Sequence, residues 1–170
     1  MFIAILLFFL QMGEVINTDE NPSYGHYGMM FQGATIVEHK KLGNIQWNPA
    51  RVHFVPVKFN NEKNLSLALF SQFKNYKILN ANVLDFLLQN QYNFPGVIPE
   101  NWKFDSGDTS RNICFCGTVY KHAGGQMSVR YMYWNPSWEY PTGEKISGSW
   151  RESVMSLSHS KDLMYVAVLQ

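Results

Sequence analysis

The stretch that decides the fold runs from residue 113 to residue 134 and reads ICFCGTVYKHAGGQMSVRYMYW. Both of its halves are rich in β-branched and aromatic residues, which is typical of strands. Gly124 and Gly125 lie between the halves, where a chain that reverses its direction needs a residue with positive φ. The sequence therefore predicts an antiparallel hairpin over residues 113–134 with its turn at these two glycines.

The second half of this hairpin alternates between two kinds of side chain. One side is apolar and predicts the core: Met127, Val129, Tyr131 and Tyr133. The other side carries Ser128, Arg130, Met132 and Trp134, a mixture too polar for a main core. Because successive side chains of a strand point to opposite faces, we expect this second side to be reachable by solvent.

An exposed face of Trp, Tyr and Arg has the composition of a binding surface. Two further aromatic residues follow the hairpin after the Asn135-Pro136 turn. The predicted binding residues are Arg130, Trp134, Trp138 and Tyr140. The alternative is that these aromatic side chains only fill a core.

Outward from the hairpin, the period of the apolar residues changes to that of helices. Residues 64–74 and 81–89 each carry an apolar stripe, and Asn80 is a suitable N-cap for the second of them. Residues 51–59 alternate as a strand does, but Pro56 removes a donor and so predicts an edge or bulged strand. We expect an α+β fold, in which a helical hairpin packs on one face of a small antiparallel sheet centred on residues 113–134. The alternative fold is a β-sandwich.

The length of 170 residues fits one domain. We predict an apolar N-terminal segment and loop over residues 1–34 and a single α+β domain over residues 35–170. Residues 1–10, MFIAILLFFL, are fewer than the roughly 20 that span a membrane, so no transmembrane helix is expected. They predict a buried element, a signal-peptide core or a misassigned start. Because no Lys or Arg occurs before Lys40, the basic start of a signal peptide is missing. The cytoplasm is therefore the expected compartment, and export is the alternative.

Charge and cysteine content narrow the function classes. The chain has 14 Lys and Arg against 13 Asp and Glu, a balance that argues against a nucleic-acid partner. The two cysteines, Cys114 and Cys116, are two residues apart in a predicted strand, which disfavours a disulfide between them. We expect a non-enzymatic binding or interaction module for a protein or a small ligand, with no cofactor and no metal. The alternative is a small thiol-dependent enzyme or hydrolase that uses Cys114 or Cys116 with His122.

Several segments occur in a familiar order: LNANVLDFLL (79–88), IPENWK (98–103), GTVY (117–120), VRYMYW (129–134) and a terminal AVL (167–169). In this order they resemble a set of small uncharacterised bacterial proteins from candidate-phylum genomes. Those proteins usually carry aromatic residues before GTVY, where this chain has Cys114, Phe115 and Cys116. The resemblance implies a bacterial origin and a shared β-hairpin core, and it implies no activity or site residue.

Overall fold

The computed structural model describes residues 14–25, 28, 31–57, 72–104, 110–157 and 164–170. These residues are 42% strand and 15% helical. The α-helix whose full extent lies within the described residues is α1 (Ala81–Asn90). The strands, in chain order, are β1 (Val15–Asn17), β2 (Thr35–His39), β3 (Asn44–Gln46), β4 (Val52–Pro56), β5 (Lys77–Ile78), β6 (Asn112–Cys114), β7 (Thr118–Lys121), β8 (Met127–Asn135), β9 (Trp138–Glu139), β10 (Lys145–Ile146), β11 (Ser149–Ser156) and β12 (Met164–Leu169).

Eight of these strands form one curled sheet, shaped like half a barrel. Its order is β2-β7-β8-β6-β12-β4, with β11 also paired to β8 and β5 also paired to β12. The pairing of β6 with β12 is parallel, and the other pairings are antiparallel. Two short antiparallel pairs, β1 with β3 and β9 with β10, stand outside this sheet.

The sheet divides at Gly117, between β6 and β7. Both strands pair with β8, but β6 continues to β12 whereas β7 continues to β2. The Gly117 N–H donates to the carbonyl of Leu79 (3.0 Å), and the Gly117 carbonyl accepts from the Lys40 N–H (2.6 Å). A Cβ at Gly117 would lie 2.8 Å from the Leu79 oxygen and 2.9 Å from the Ile78 oxygen. Glycine therefore lets the backbone at residues 78–80 enter the gap between the two branches.

One face of the sheet, here called the helix face, is covered by α1. Val83, Leu84 and Leu87 of the helix are fully buried in one cluster with Ile113 and Met132 of the sheet. The opposite face, here called the thiol face, carries a second apolar cluster. Its members include Cys114, Cys116, Val129, Met164 and Val166.

The predicted fold class is wrong. A single eight-stranded sheet takes the place of a small sheet under a helical hairpin, and it is not a sandwich of two packed sheets. The predicted helix at 81–89 is present as α1. Of the one predicted at 64–74, only residues 72–74 are described, and residues 72 and 73 are helical. The error concerns residues 146–155 and 163–169, which the sequence predicts as further extended or loosely ordered pieces without indicating their partners. They form the long strands β11 and β12, whose partners are distant along the chain.

The predicted turn and edge strand are confirmed. Gly125 has φ +83°, and the His122 N–H donates to the Gln126 carbonyl (2.9 Å) across the turn. β4 lies at one end of the strand order, where the missing donor of Pro56 removes no ladder bond.

Candidate functional site

Arg130, the first of the predicted binding residues, is buried. Its side chain is 1% exposed, and its guanidinium donates to the carboxylates of Asp85 on α1 (2.6 Å) and Glu152 on β11 (3.1 Å from Nε). It also donates to the Ser23 carbonyl (3.2 Å). Burial opposes the charged form, but hydrogen bonds and charge from Asp85 and then Glu152 raise the pKa of Arg130 above its usual value.

The predicted exposure of Arg130 is therefore wrong. Its side of β8 does alternate as predicted, but Ser128 and Met132 on that side are also buried, since this side belongs to the helix face. The backbone at Gly25 lies directly against the guanidinium. A Cβ added there would collide with Arg130 and would lie 2.7 Å from the Glu152 carboxylate. The polar side chain of Arg130 led to the prediction that this side of the strand faces solvent. In the structure the guanidinium is buried because Asp85 and Glu152 neutralise it and accept its hydrogen bonds.

Trp134, at the end of the same strand, is half-buried and supports other groups. The ammonium of Lys103 lies 3.7 Å from the centroid of its ring, and the ring of Trp150 meets it edge-on at 5.7 Å. A Cβ at Gly148 would collide with the Trp134 ring and would lie 3.0 Å from the Ser137 nitrogen. The base of the β9–β10 hairpin is thus packed on Trp134.

Trp138 and Tyr140 form an accessible aromatic pair on that hairpin. The Trp138 side chain is 55% exposed, and its ring centroid is 4.4 Å from that of Tyr140 at an angle of 53°. The hairpin closes with the Tyr140 N–H donating to the Glu144 carbonyl (2.8 Å), and Gly143 in its turn has φ +84°. Two predicted binding residues therefore lie together on this hairpin, with Trp138 exposed and Tyr140 half-buried.

The sequence reasoning missed a second arginine, Arg111, close to this region. In the register of β6 with β8, Arg111 stands two residues before Ile113 and so opposite Trp134 on the helix face. Its guanidinium carbon lies 5.1 Å from the centroid of the Phe54 ring and 5.3 Å from that of Tyr165. Trp, Tyr and Arg side chains do lie together at this end of the sheet. The arginine among them is Arg111, whereas the sequence predicted Arg130. A signal was available, since Arg111 lies two residues before Ile113 and would share its side of the sheet if the predicted strand extended to it.

The two thiols are enclosed on the thiol face. Cys114 is 0% and Cys116 is 4% exposed, and both are free. Burial first, and then a hydrogen bond with Cys116, raises the pKa of the Cys114 thiol well above its ordinary value. His122 instead contacts the Ser128 hydroxyl (2.7 Å) and stacks on Phe31. This arrangement disfavours a thiolate nucleophile activated by His122.

Within the described ranges, no group of three His, Cys, Asp or Glu side chains is placed to hold a metal ion. In those same ranges no helix is long and apolar enough to cross a membrane.

No protein-family model matches the chain, and searches of curated proteins and of solved structures found no match. The relation to the small bacterial proteins stays a prediction.

Proposed function

We propose that the protein is a non-enzymatic binding module whose contact surface is the β9–β10 hairpin. The observation that carries this proposal is the exposed Trp138 ring in contact with Tyr140. Large exposed aromatic rings are enriched at binding sites, where a few of them supply most of the free energy of binding.

The support beneath the hairpin favours this role. Trp134 packs against Gly148 and Ser137 at the base of the hairpin and is itself held between Lys103 and Trp150. A ring that is already positioned loses less conformational entropy when a ligand binds. In this proposal Trp134 packs beneath the hairpin and holds it in place, while Trp138 and Tyr140 contact the ligand.

The charges around the pair favour a neutral contact. Glu139 on β9 pairs with Lys145 on β10 (3.3 Å), so these two charges of the hairpin offset each other. With a net charge of +1 for the chain, a protein or a small ligand is the proposed partner, and nucleic acid is not.

The test compares wild type with Trp138→Ala in affinity capture followed by titration of the purified captured molecule. We expect Trp138→Ala to weaken its binding by about 2 kcal/mol, roughly thirtyfold. The midpoint of thermal unfolding should change by only about 1 or 2 °C, since the residue is exposed. Tyr92→Ala is the matched control, because Tyr92 is 74% exposed in the loop after α1. Equal affinity of the wild type and Trp138→Ala for every captured molecule would contradict the proposal.

We also propose the cytoplasm as the compartment. Two free, buried thiols support a reducing environment. Fractionation of a C-terminally tagged protein tests this, and recovery of a shortened chain outside the cytoplasm would contradict it.

A further inference from the structure

The aromatic pair of the β9–β10 hairpin forms a corner and not a flat platform. The centroids of the Trp138 and Tyr140 rings are 4.4 Å apart, and the ring planes are tilted by 53°. A flat ligand, such as one face of a sugar ring, covers one of these rings but not both. A short, rigid apolar group contacts both walls of the corner at once, so the pair fits a ridge better than a plane.

The face of the hairpin that carries this corner is apolar. Trp138 lies directly opposite Ile146 in the register of β9 with β10. In the next row Glu139 lies opposite Lys145. Because opposed residues of an antiparallel pair share a face and neighbours along a strand alternate, this ion pair lies on the other face of the hairpin. An apolar group of a partner therefore contacts the two rings without displacing the ion pair.

Both rings also carry a hydrogen-bond donor. The Trp138 Nε1–H and the Tyr140 hydroxyl donate to no other residue that the structure describes. Since an indole N–H can only donate, a well-matched partner offers acceptors beside its apolar groups. A peptide in the polyproline II conformation has both, because it makes no internal hydrogen bonds and its carbonyls stay free.

One carboxylate borders the corner. Glu144 lies across the turn of the hairpin from Tyr140, whose N–H donates to the Glu144 carbonyl (2.8 Å). The side chain of Glu144 is exposed, and it forms no ion pair with the described residues, which include all of 135–149. Its charge is complementary to a Lys or Arg that stands beside the apolar group of a partner.

We infer that the partner of the β9–β10 hairpin is a proline-rich segment in the polyproline II conformation, with a Lys or Arg at its end. A proline ring fills the corner between Trp138 and Tyr140, carbonyls of the segment accept from the two ring donors, and the basic residue pairs with Glu144. The entropic cost is low, because a polyproline II helix is already formed before it binds. This inference rests on the proposed function of the hairpin and names the class of its partner.

The experiment titrates the full chain with synthetic probes. One is a peptide of about eight prolines with a lysine at each end, the second has serine in place of every proline, and the third is a linear glucose oligomer. Binding is followed by NMR through the Nε1–H signal of Trp138, which is assigned from its absence in Trp138→Ala. We expect a saturable shift with the proline peptide and roughly tenfold weaker binding of the flexible serine peptide. The inference is overturned if the proline peptide leaves this signal unshifted, or binds no more tightly than the serine peptide or the glucose oligomer.

Variants that keep the rings test the donors and the charge. Tyr140→Phe should bind the proline peptide roughly fivefold more weakly, because it loses one hydrogen bond. Glu144→Gln should weaken the lysine-flanked peptide about twofold and leave a peptide of prolines alone unchanged. Tyr92→Ala removes an exposed ring outside the hairpin and should bind like the wild type. Wild-type affinity in both Tyr140→Phe and Glu144→Gln would overturn the inference, because neither the donor nor the charge would then select the partner.

The two proposals for the hairpin fail in different ways. If Trp138→Ala weakens binding of the captured molecule but the proline peptide does not bind, the hairpin contacts another class of partner and only this inference is wrong. If the captured molecules bind wild type and Trp138→Ala equally and the proline peptide does not bind, the proposed function is wrong as well.

Discussion

Two arginines on one face of the sheet have opposite surroundings. Arg130 is enclosed with two carboxylates, whereas Arg111 is stacked on two aromatic rings. The local sequence around each arginine does not predict this difference. Asp85 and Glu152 stand 45 and 22 positions from Arg130, so that only the folded chain brings the three charges together.

The first prediction concerns the enclosed charge at Arg130. Arg130→Met should lower the free energy of unfolding by about 3–5 kcal/mol, because it leaves the carboxylates of Asp85 and Glu152 enclosed without their cation. Urea unfolding measures the loss. Arg151→Met is the control, since it removes an exposed arginine from β11 and should change stability by about 0.5 kcal/mol or less. A loss below about 1 kcal/mol for Arg130→Met would mean that water reaches the two carboxylates.

At the scale of the element, local sequence predicted α1 and its cap well. Asn80 does accept a hydrogen bond from the Asn82 N–H (3.2 Å), as an N-cap does. The sequence did not predict the other half of this side chain. Its Nδ2 donates to the carbonyls of Thr18 (2.8 Å) and Lys40 (2.9 Å), and so ties the helix to two segments far away in sequence. A cap is a local feature, whereas these two bonds need the tertiary fold.

The second prediction separates these two roles of Asn80. Asn80→Asp keeps the oxygen that caps α1 but places an oxygen opposite the carbonyls of Thr18 and Lys40. We expect a loss of about 2 kcal/mol or more in urea unfolding at neutral pH, because two acceptors lose their donor and a carboxylate is buried.

The stability loss of Asn80→Asp should depend on pH. The buried Asp of the variant should have a raised pKa in the folded state, so its penalty is present at neutral pH. The penalty should shrink as the pH falls towards about 4, the ordinary value for Asp, where protonation restores a donor. Asn93→Asp, at an exposed position, is the control and should change stability little. If Asn80→Asp left the free energy of unfolding unchanged at neutral pH, the contribution of Asn80 to stability would come from capping alone.

On the scale of the whole molecule, the sequence predicted the β8 hairpin but not the sheet around it. The pairs that build the sheet join β12 to β4 and β11 to β8, and strand patterns do not reveal which strands pair. The sequence predicts residues 113–120 as one half of the hairpin. In the folded chain they form two strands with different outer neighbours, and the change occurs at Gly117.

The last prediction tests whether that glycine is what allows the sheet to divide. Gly117→Ala adds one methyl group where the nearest atoms are backbone oxygens of Leu79 and Ile78, at 2.8 and 2.9 Å. Since backbone atoms cannot rotate away as a side chain does, one of the two branches must shift. We expect a loss of about 1–3 kcal/mol in urea unfolding, the usual range for an overpacked site.

Gly124→Ala is the control for that substitution, because no atom lies within 4 Å of its added Cβ. It should be neutral within about 0.5 kcal/mol. Hydrogen exchange should show in addition which branch moves in Gly117→Ala. The Gly117 amide reports on its bond to Leu79, and the Lys40 amide reports on its bond to Gly117. Faster exchange at either amide locates the shift, whereas unchanged exchange at both, with unchanged stability, would mean that the division of the sheet does not depend on the missing side chain.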